Sequence, residues 1–283
     1  MRGPCRARMF MHRELIIEPT SGLSALRLRE IWEYRELFYF LVWRDIKIRY
    51  KQTFLGASWA IIRPVISMGV FTFLFHNLAG FSAPGVPYQL FTFSGILAWS
   101  FFSEGLTGAS QSLVANTNLI TKVYFPRMII PSAAVLRGVV DFAIAFGIYL
   151  ILLVWFQYAP GWQILLTPFA LLWGIIASLG VGLWFTAIGV KYRDVAHALP
   201  FVAQILFWIT PVGYSSEKVP AQWEWLYWLN PMTGVIEFFR YALLGVAHLP
   251  PALVALSLVM SIAIFVTGVL NFRRLEKEFA DVI

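Results

Sequence analysis

Residues 44–64, RDIKIRYKQTFLGASWAIIRP, run from a dense basic segment directly into a long apolar stretch. Such a junction carries a chain from a charged aqueous surface into a bilayer. Clusters of Lys and Arg ahead of an apolar span stay on the cytoplasmic side. Here Lys47, Arg49 and Lys51 form the cluster, and Ser58 opens the first span. The junction therefore sets both the class, a membrane protein, and the direction in which the chain is threaded.

The composition agrees. Charged residues make up 13% and apolar residues 59% of the chain, against roughly 25% charged in an ordinary soluble domain. The net charge of +7 invites a nucleic-acid reading, but 11 of the 22 Lys and Arg lie in residues 1–51, beside the expected cytoplasmic face. Anionic headgroups and orientation account for them, and no nucleic-acid partner is expected. The single Cys5 allows no internal disulfide. Residues 1–24 lack the apolar core of a cleavable signal peptide and read as a disordered cytoplasmic tail.

A window of about 20 residues, the length that crosses hydrocarbon, finds six spans. They fall near Ser58–Leu78, Tyr88–Leu113, Pro131–Phe156, Ile164–Val190, Ala196–Val212 and Leu249–Phe272. Lys122 and Arg127 follow span two, Lys191 and Arg193 follow span four, and Arg273, Arg274 and Lys277 follow span six. The alternate loops, residues 79–87 and 157–163, carry no Lys or Arg. Both termini are therefore expected inside. Residues 215–247 are apolar but contain Glu237, Arg240 and the turn-forming Asn230-Pro231. A crossing there would strand the C-terminal charges outside. The segment is expected to form a pair of short re-entrant helices, shielded by protein or by a wet cavity. The alternative is an interfacial helix anchored by Trp223, Trp225, Tyr227 and Trp228.

The fold class is thus an all-α polytopic membrane protein. The domains are a tail (1–24), an amphipathic interfacial helix (25–52) and a transmembrane domain with a cytoplasmic C-terminal tail (53–283). At 100° per residue, Glu33, Glu36, Arg44, Lys47 and Lys51 share one arc of the interfacial helix, with Ile31, Phe38, Val42 and Ile46 opposite. Arg35 and Arg49 fall on the apolar side, so their stems must snorkel or meet an acidic partner. Charges within spans also ask for partners. Arg137 and Asp141, four apart, are expected to satisfy each other. Glu104 has no local cation and is expected at a dimer seam or wet cavity. Glu237 and Arg240 read as a helix pair three apart. His76 reads as interfacial, and no His, Cys or carboxylate cluster has metal-ligand spacing.

Four ordered runs carry a resemblance: WRDIKIRYKQTFLGASWAIIRP, LVANTNLITKVYFPRMIIP, KYRDVAHALPFVAQILFWITPVGYSSEKVP and LNPMTGVIEFFRYALLG. Together they resemble the permease subunits of polysaccharide-exporting ATP-binding-cassette transporters, the type-2 permease family, which carry lipid-linked O-antigen, capsule or teichoic acid polymers. The resemblance spans Trp32–Ile283. It implies a six-span homodimer in the inner or plasma membrane, with each half docked on a separate nucleotide-binding subunit. That partner would hold ATP and Mg. Consistently, no Lys here follows Gly, so a G-x-x-x-x-G-K-[ST] phosphate loop is excluded.

The resemblance assigns energy coupling to residues 116–127 and 191–197, naming Asn116, Asn118, Lys122, Tyr124, Phe125, Arg127, Tyr192, Arg193 and Asp194. Pro126 and Pro131 bracket Arg127 and turn the chain sharply into span three. It likewise places Tyr34, Arg35, Arg44, Lys47, Arg49 and Tyr50 at the cytoplasmic mouth, where a phosphorylated lipid would meet Arg and Lys. A sliding polymer needs surfaces indifferent to register, which aromatic faces provide. Phe71, Phe75, Trp99, Phe102, Trp184, Phe207, Trp208 and Tyr214 are the conduit candidates. Three other readings stand beside export of a polymer. They are a small-molecule or drug exporter of the same superfamily, a membrane-embedded glycosyl- or acyltransferase, and a passive channel or scaffold. The transferase would need clustered acids or histidines on a membrane-side loop, and the sequence has none.

Overall fold

A computed structural model describes residues 32–51, 58–83, 85–192, 194–246 and 249–276. Among these residues all regular structure is helical. The tail at 1–24, Arg193, Ala247 and Lys277 lie outside them, as do the ends of the expected interfacial helix.

Helix α1 (Arg35–Lys51) precedes the apolar part of the chain and buries one side chain, Leu41. It lies mainly across α5 (Ile129–Trp155). Helix α2 (Ser58–Phe71) continues as a π-helical stretch, Thr72–Leu78, and the two make one rod with the bounds expected for span one. Helix α3 (Tyr88–Ala115) begins directly after Pro87, whose fixed φ suits a helix start. A single turn, α4 (Thr117–Ile120), leads through an irregular loop to α5. A 3-10 turn at Trp162–Leu166 opens onto α6 (Thr167–Lys191), and α7 (Asp194–Ile209) follows almost at once. The segment expected to hold two short helices does so, with α8 (Ala221–Tyr227) and α9 (Pro231–Leu244). Helix α10 (Pro251–Glu276) ends the described chain.

Four rods are long and apolar enough to cross a membrane: Ser58–Leu78, Ile129–Trp155, Trp162–Lys191 and Pro251–Glu276. The other two expected spans are less apolar or shorter for visible reasons. Helix α3 is 28 residues long but carries Gln89, Glu104 and many Ser and Gly, because protein covers most of it. Helix α7 has 16 residues, about 24 Å of rise.

Small residues set the packing. A methyl group added at Gly268 would lie 2.6 Å from the Gly180 carbonyl oxygen, and one at Gly180 would lie 2.8 Å from the Phe265 backbone. Helices α6 and α10 therefore meet backbone to backbone, as helices in lipid do where Gly lines the seam. Helix α3 sits between α5 and α6 and is covered by α9. The Asn230 side chain caps α9 by accepting from the Met232 N–H at 3.0 Å, Pro231 fills the first turn, and Gly245 ends it at φ 69°.

Two apolar cores result. The larger joins α3, α5, α6 and α9. The smaller gathers Leu41, Leu113, Ile120, Phe125, Leu183 and Phe272, among others. It brings α1, the last turns of α3, α6 and α10, and the loop before α5 to one end of the bundle.

Candidate functional site

The charged side chains of α1 divide into two groups. Arg49 reaches inward between α3 and α5. Its Nη2 lies 3.1 Å from both carboxylate oxygens of Glu104, and its Nη1 lies 3.2 Å from Asp141 Oδ2. The Tyr50 hydroxyl donates to the other oxygen of Asp141. Burial lowers the Arg49 pKa, but the Glu104 and Asp141 carboxylates outweigh it and hold the group above its ordinary value. Burial, and then the bond to Asp141, push the Tyr50 hydroxyl well above its ordinary value. The cluster is therefore a fixed cation and a fixed donor facing two acids.

This arrangement corrects one sequence expectation and supplies the missing partner in another. Asp141 is taken by Arg49 and Tyr50 rather than by Arg137, whose guanidinium instead lies over Gly108 of α3. Glu104 has no cation nearby in sequence and borders a small cavity, as expected, and its partner comes from α1, 55 residues away. The signal was present in the sequence, since Arg49 falls on the apolar arc and requires an acidic partner. Which acid it meets depends on how α1 crosses α3 and α5. Beside the carboxylates lies a cavity of about 60 Å3, bounded also by Trp59, Arg63 and Ser100. It has room for a few waters and none for a sugar ring.

Arg44 makes a second tie. Its Nη2 donates to Asp45 at 2.8 Å and to Asn116 Oδ1 at 2.7 Å. Asn116 stands just past the last residue of α3 and donates back to the Ser112 carbonyl at 2.8 Å. Arg44 and Arg49 are five residues apart, about 7.5 Å along the helix, so α1 is fastened at two heights. Arg35 and Lys47 instead lie over the Trp32 and Trp43 rings, at 5.8 and 5.4 Å. Tyr34 packs on the smaller core.

The outward face of α1 keeps most of the charged arc of the helical wheel, with Glu33, Glu36, Lys47 and Lys51 exposed and Arg44 half-buried, and adds aromatic rings to it. Trp32, Tyr39, Phe40, Trp43 and Ile48 face outward, with Trp32 70% exposed. Rings mixed with cations belong at a headgroup layer. The wheel placed Arg44 outside because a period alone does not record that Asn116 stands opposite.

The coupling candidates after α3 surround an open hollow bounded by Ile120, Lys122, Tyr124, Phe125 and Arg127. Phe125 is buried and anchors the loop, while Tyr124 is 67% exposed. Arg127 is bound to the end of α10, with Nη1 donating to the Glu276 carbonyl at 2.9 Å and its N–H donating to Glu276 Oε1 at 3.2 Å. Asn118 lies on the short turn α4. The second stretch does not form a helix of its own. Lys191 ends α6, Tyr192 is extended and exposed, and Asp194 opens α7.

Six of the eight conduit candidates share one cluster. Phe71 stacks on Phe75 with centroids 5.2 Å apart and meets Phe207 and Trp208 at 5.4 and 6.3 Å. Trp99 meets Phe102 and Phe207 at 5.4 and 5.5 Å. Tyr214 borders the cluster through its hydroxyl, 3.3 Å from the Trp208 carbonyl. Trp184 stands apart, donating to Thr267 of α10 at 3.2 Å.

Long apolar helices packed through glycine, with ion pairs held between them and an aromatic basic helix at one end, define an integral membrane protein. The chain belongs to the ABC-2 type transporter family, which matches residues 36–244. It is therefore a membrane subunit of a transporter. It is similar to the O-antigen export system permease protein RfbA of Myxococcus xanthus, at 29% identity over 90% of this chain and 98% of that relative. It is also similar to RfbA of Klebsiella pneumoniae, at 25% identity over 85% of this chain and 92% of the relative. A third relative is the polysialic acid transport protein KpsM of Escherichia coli, at 28% identity over 71% of this chain and 78% of the relative.

Proposed function

We propose that this chain is the permease subunit of an ATP-driven exporter. It moves a lipid-linked polysaccharide of the O-antigen, capsule or teichoic acid class from the cytoplasmic side across the inner or plasma membrane. The observation that carries the reading is the near full-length likeness to permeases named for O-antigen export. In this reading α2, α3, α5, α6, α7 and α10 are six spans, α8 and α9 dip back from the external face, and both termini are cytoplasmic. Two copies enclose the path, and two nucleotide-binding subunits dock at the loop around Tyr124 and at the α6–α7 junction.

The physical support lies in the placement of the parts. Arg35 and Lys47, left outward on α1 among aromatic rings, suit a phosphorylated lipid at headgroup depth. The loop carrying Lys122 and Tyr124 is fused through Phe125 to the core from which α3, α5 and α10 extend. Closure of the ATPases against that loop would thus be passed to several spans at once. At the edge of the aromatic cluster the exposed Trp208 offers a ring face on which sugars pack without fixed register, while Phe71, Trp99 and Phe102 are buried behind it.

The test is reconstitution of the purified chain in vesicles, alone and with its ATPase subunit. The chain alone is expected to hydrolyse no ATP, and the pair is expected to move a lipid-linked polymer on ATP addition. ATP hydrolysis by the isolated chain, or polymer movement indifferent to the partner, would overturn the reading.

A further inference from the structure

Between α7 and the 3-10 turn at Ser216–Lys218, residues 211–215 run without helical bonds. Free backbone carbonyls are costly within a membrane protein unless other groups take them. Three consecutive ones are taken here by side chains from distant helices. Arg240 Nη2 donates to the Val212 carbonyl at 2.8 Å and Nη1 to the Tyr214 carbonyl at 3.1 Å. The Tyr88 hydroxyl donates to the Gly213 carbonyl between them. Glu237 accepts from Arg240 and from the Ser216 N–H, both at 3.1 Å. The guanidinium is fully buried and lies 3.8 Å over the Phe91 ring.

Close packing secures both sides of the segment. A methyl group at Gly95 of α3 would lie 2.6 Å from the Val212 oxygen, and one at Gly213 would lie 2.6 Å from the Phe71 ring. The segment is thus held between the buried clamp and the aromatic cluster. Phe71 rests on it, and the chain passes into it directly from Phe207 and Trp208. The two Nη atoms of the planar fork reach two carbonyls and a carboxylate together, a spread that the point charge of a lysine ammonium does not reproduce.

We infer that Arg240 is a positioning residue for the aromatic wall of the export path. By fixing residues 212–214, with Tyr88 as its second point, it holds Phe71, Phe207 and Trp208 together and keeps the wall shut to small ions between transport events. The inference rests on the export reading for the existence of the path.

The test uses vesicles containing the chain with its ATPase subunit, without nucleotide or polymer, and measures chloride leak alongside thermal stability. Arg240→Lys keeps the charge and removes the fork, while Tyr88→Phe removes one hydroxyl. Each is expected to raise leak about tenfold, the population change that follows loss of one strong hydrogen bond. A purely structural role would lower the melting temperature and leave the folded protein as tight as wild type, and that result overturns the inference. If Arg240→Lys is not recovered folded, Tyr88→Phe decides by the same criterion. Failure of the export reading is scored separately, as absence of ATP-driven polymer movement by the wild-type pair.

Discussion

Arg49→Met tests whether α1 is held by its ionic cluster. Methionine keeps much of the stem and removes the guanidinium, leaving Glu104 and Asp141 without their cation. Breaking a fully buried pair costs about 3–5 kcal/mol, whereas an exposed pair contributes about 0–1 kcal/mol. The side chains here lie between these limits, at 32% exposed for Arg49, 31% for Glu104 and 12% for Asp141. Two contacts at 3.1 Å to Glu104 and one at 3.2 Å to Asp141 are lost together. The expected loss is about 2 kcal/mol, a roughly 30-fold shift in the unfolding equilibrium. Denaturant unfolding of the purified protein in detergent would read it. The triple variant Arg49→Met/Glu104→Gln/Asp141→Asn removes the cation and both carboxylates together. It should regain at least half of the loss, because no unpaired charge remains. A single variant as stable as wild type, or a triple variant no better than the single, would refute the reasoning.

Other predictions follow from the same contacts. The raised Tyr50 pKa means that its hydroxyl contributes fully below the ordinary value of 10.0, and that the contribution fades only as pH rises through the raised value. The destabilisation caused by Tyr50→Phe should therefore be equal at about pH 6 and about pH 9 in thermal melts, and a decline between them would contradict the assignment. Gly180→Ala should cost about 1–3 kcal/mol by pushing α10 off α6, measured by the same unfolding assay, and a neutral result would deny the close approach. Tyr124→Ala, at an exposed position, should leave unfolding unchanged within about 0.5 kcal/mol. It should also weaken binding of the ATPase subunit by about tenfold or more in a pull-down titration.

The sequence disclosed the membrane class and most of the helix bounds, because apolar length and loop charge are local properties. Span one ends at Leu78 as read, and the pair Glu237–Arg240 lies three apart on one helix as read. Partners supplied by another helix were not legible. Arg137 and Asp141 have favourable spacing on α5, yet Arg49 claims the acid because α1 crosses there. Spacing along a helix records neighbours on the same rod and nothing about what lies across it. The same limit applies to Arg240. The sequence gives its acid three residues earlier, whereas its two carbonyl partners lie 26 and 28 residues away. Aromatic residues are abundant in this chain, so residue type alone does not say which of them meet, and the fold gathers six of the candidates while placing Trp184 elsewhere.

The glycine seam between α6 and α10 bears on how this molecule deforms. Two helices touching through Gly180 and Gly268 cannot slide or roll on each other without steric collision, so they behave mechanically as a single beam. Helix α2, by contrast, packs on α3 and α5 and buries only Pro64 and Phe71 within this chain. The seam thereby builds a rigid element into each chain on its own, with no second copy needed to complete it.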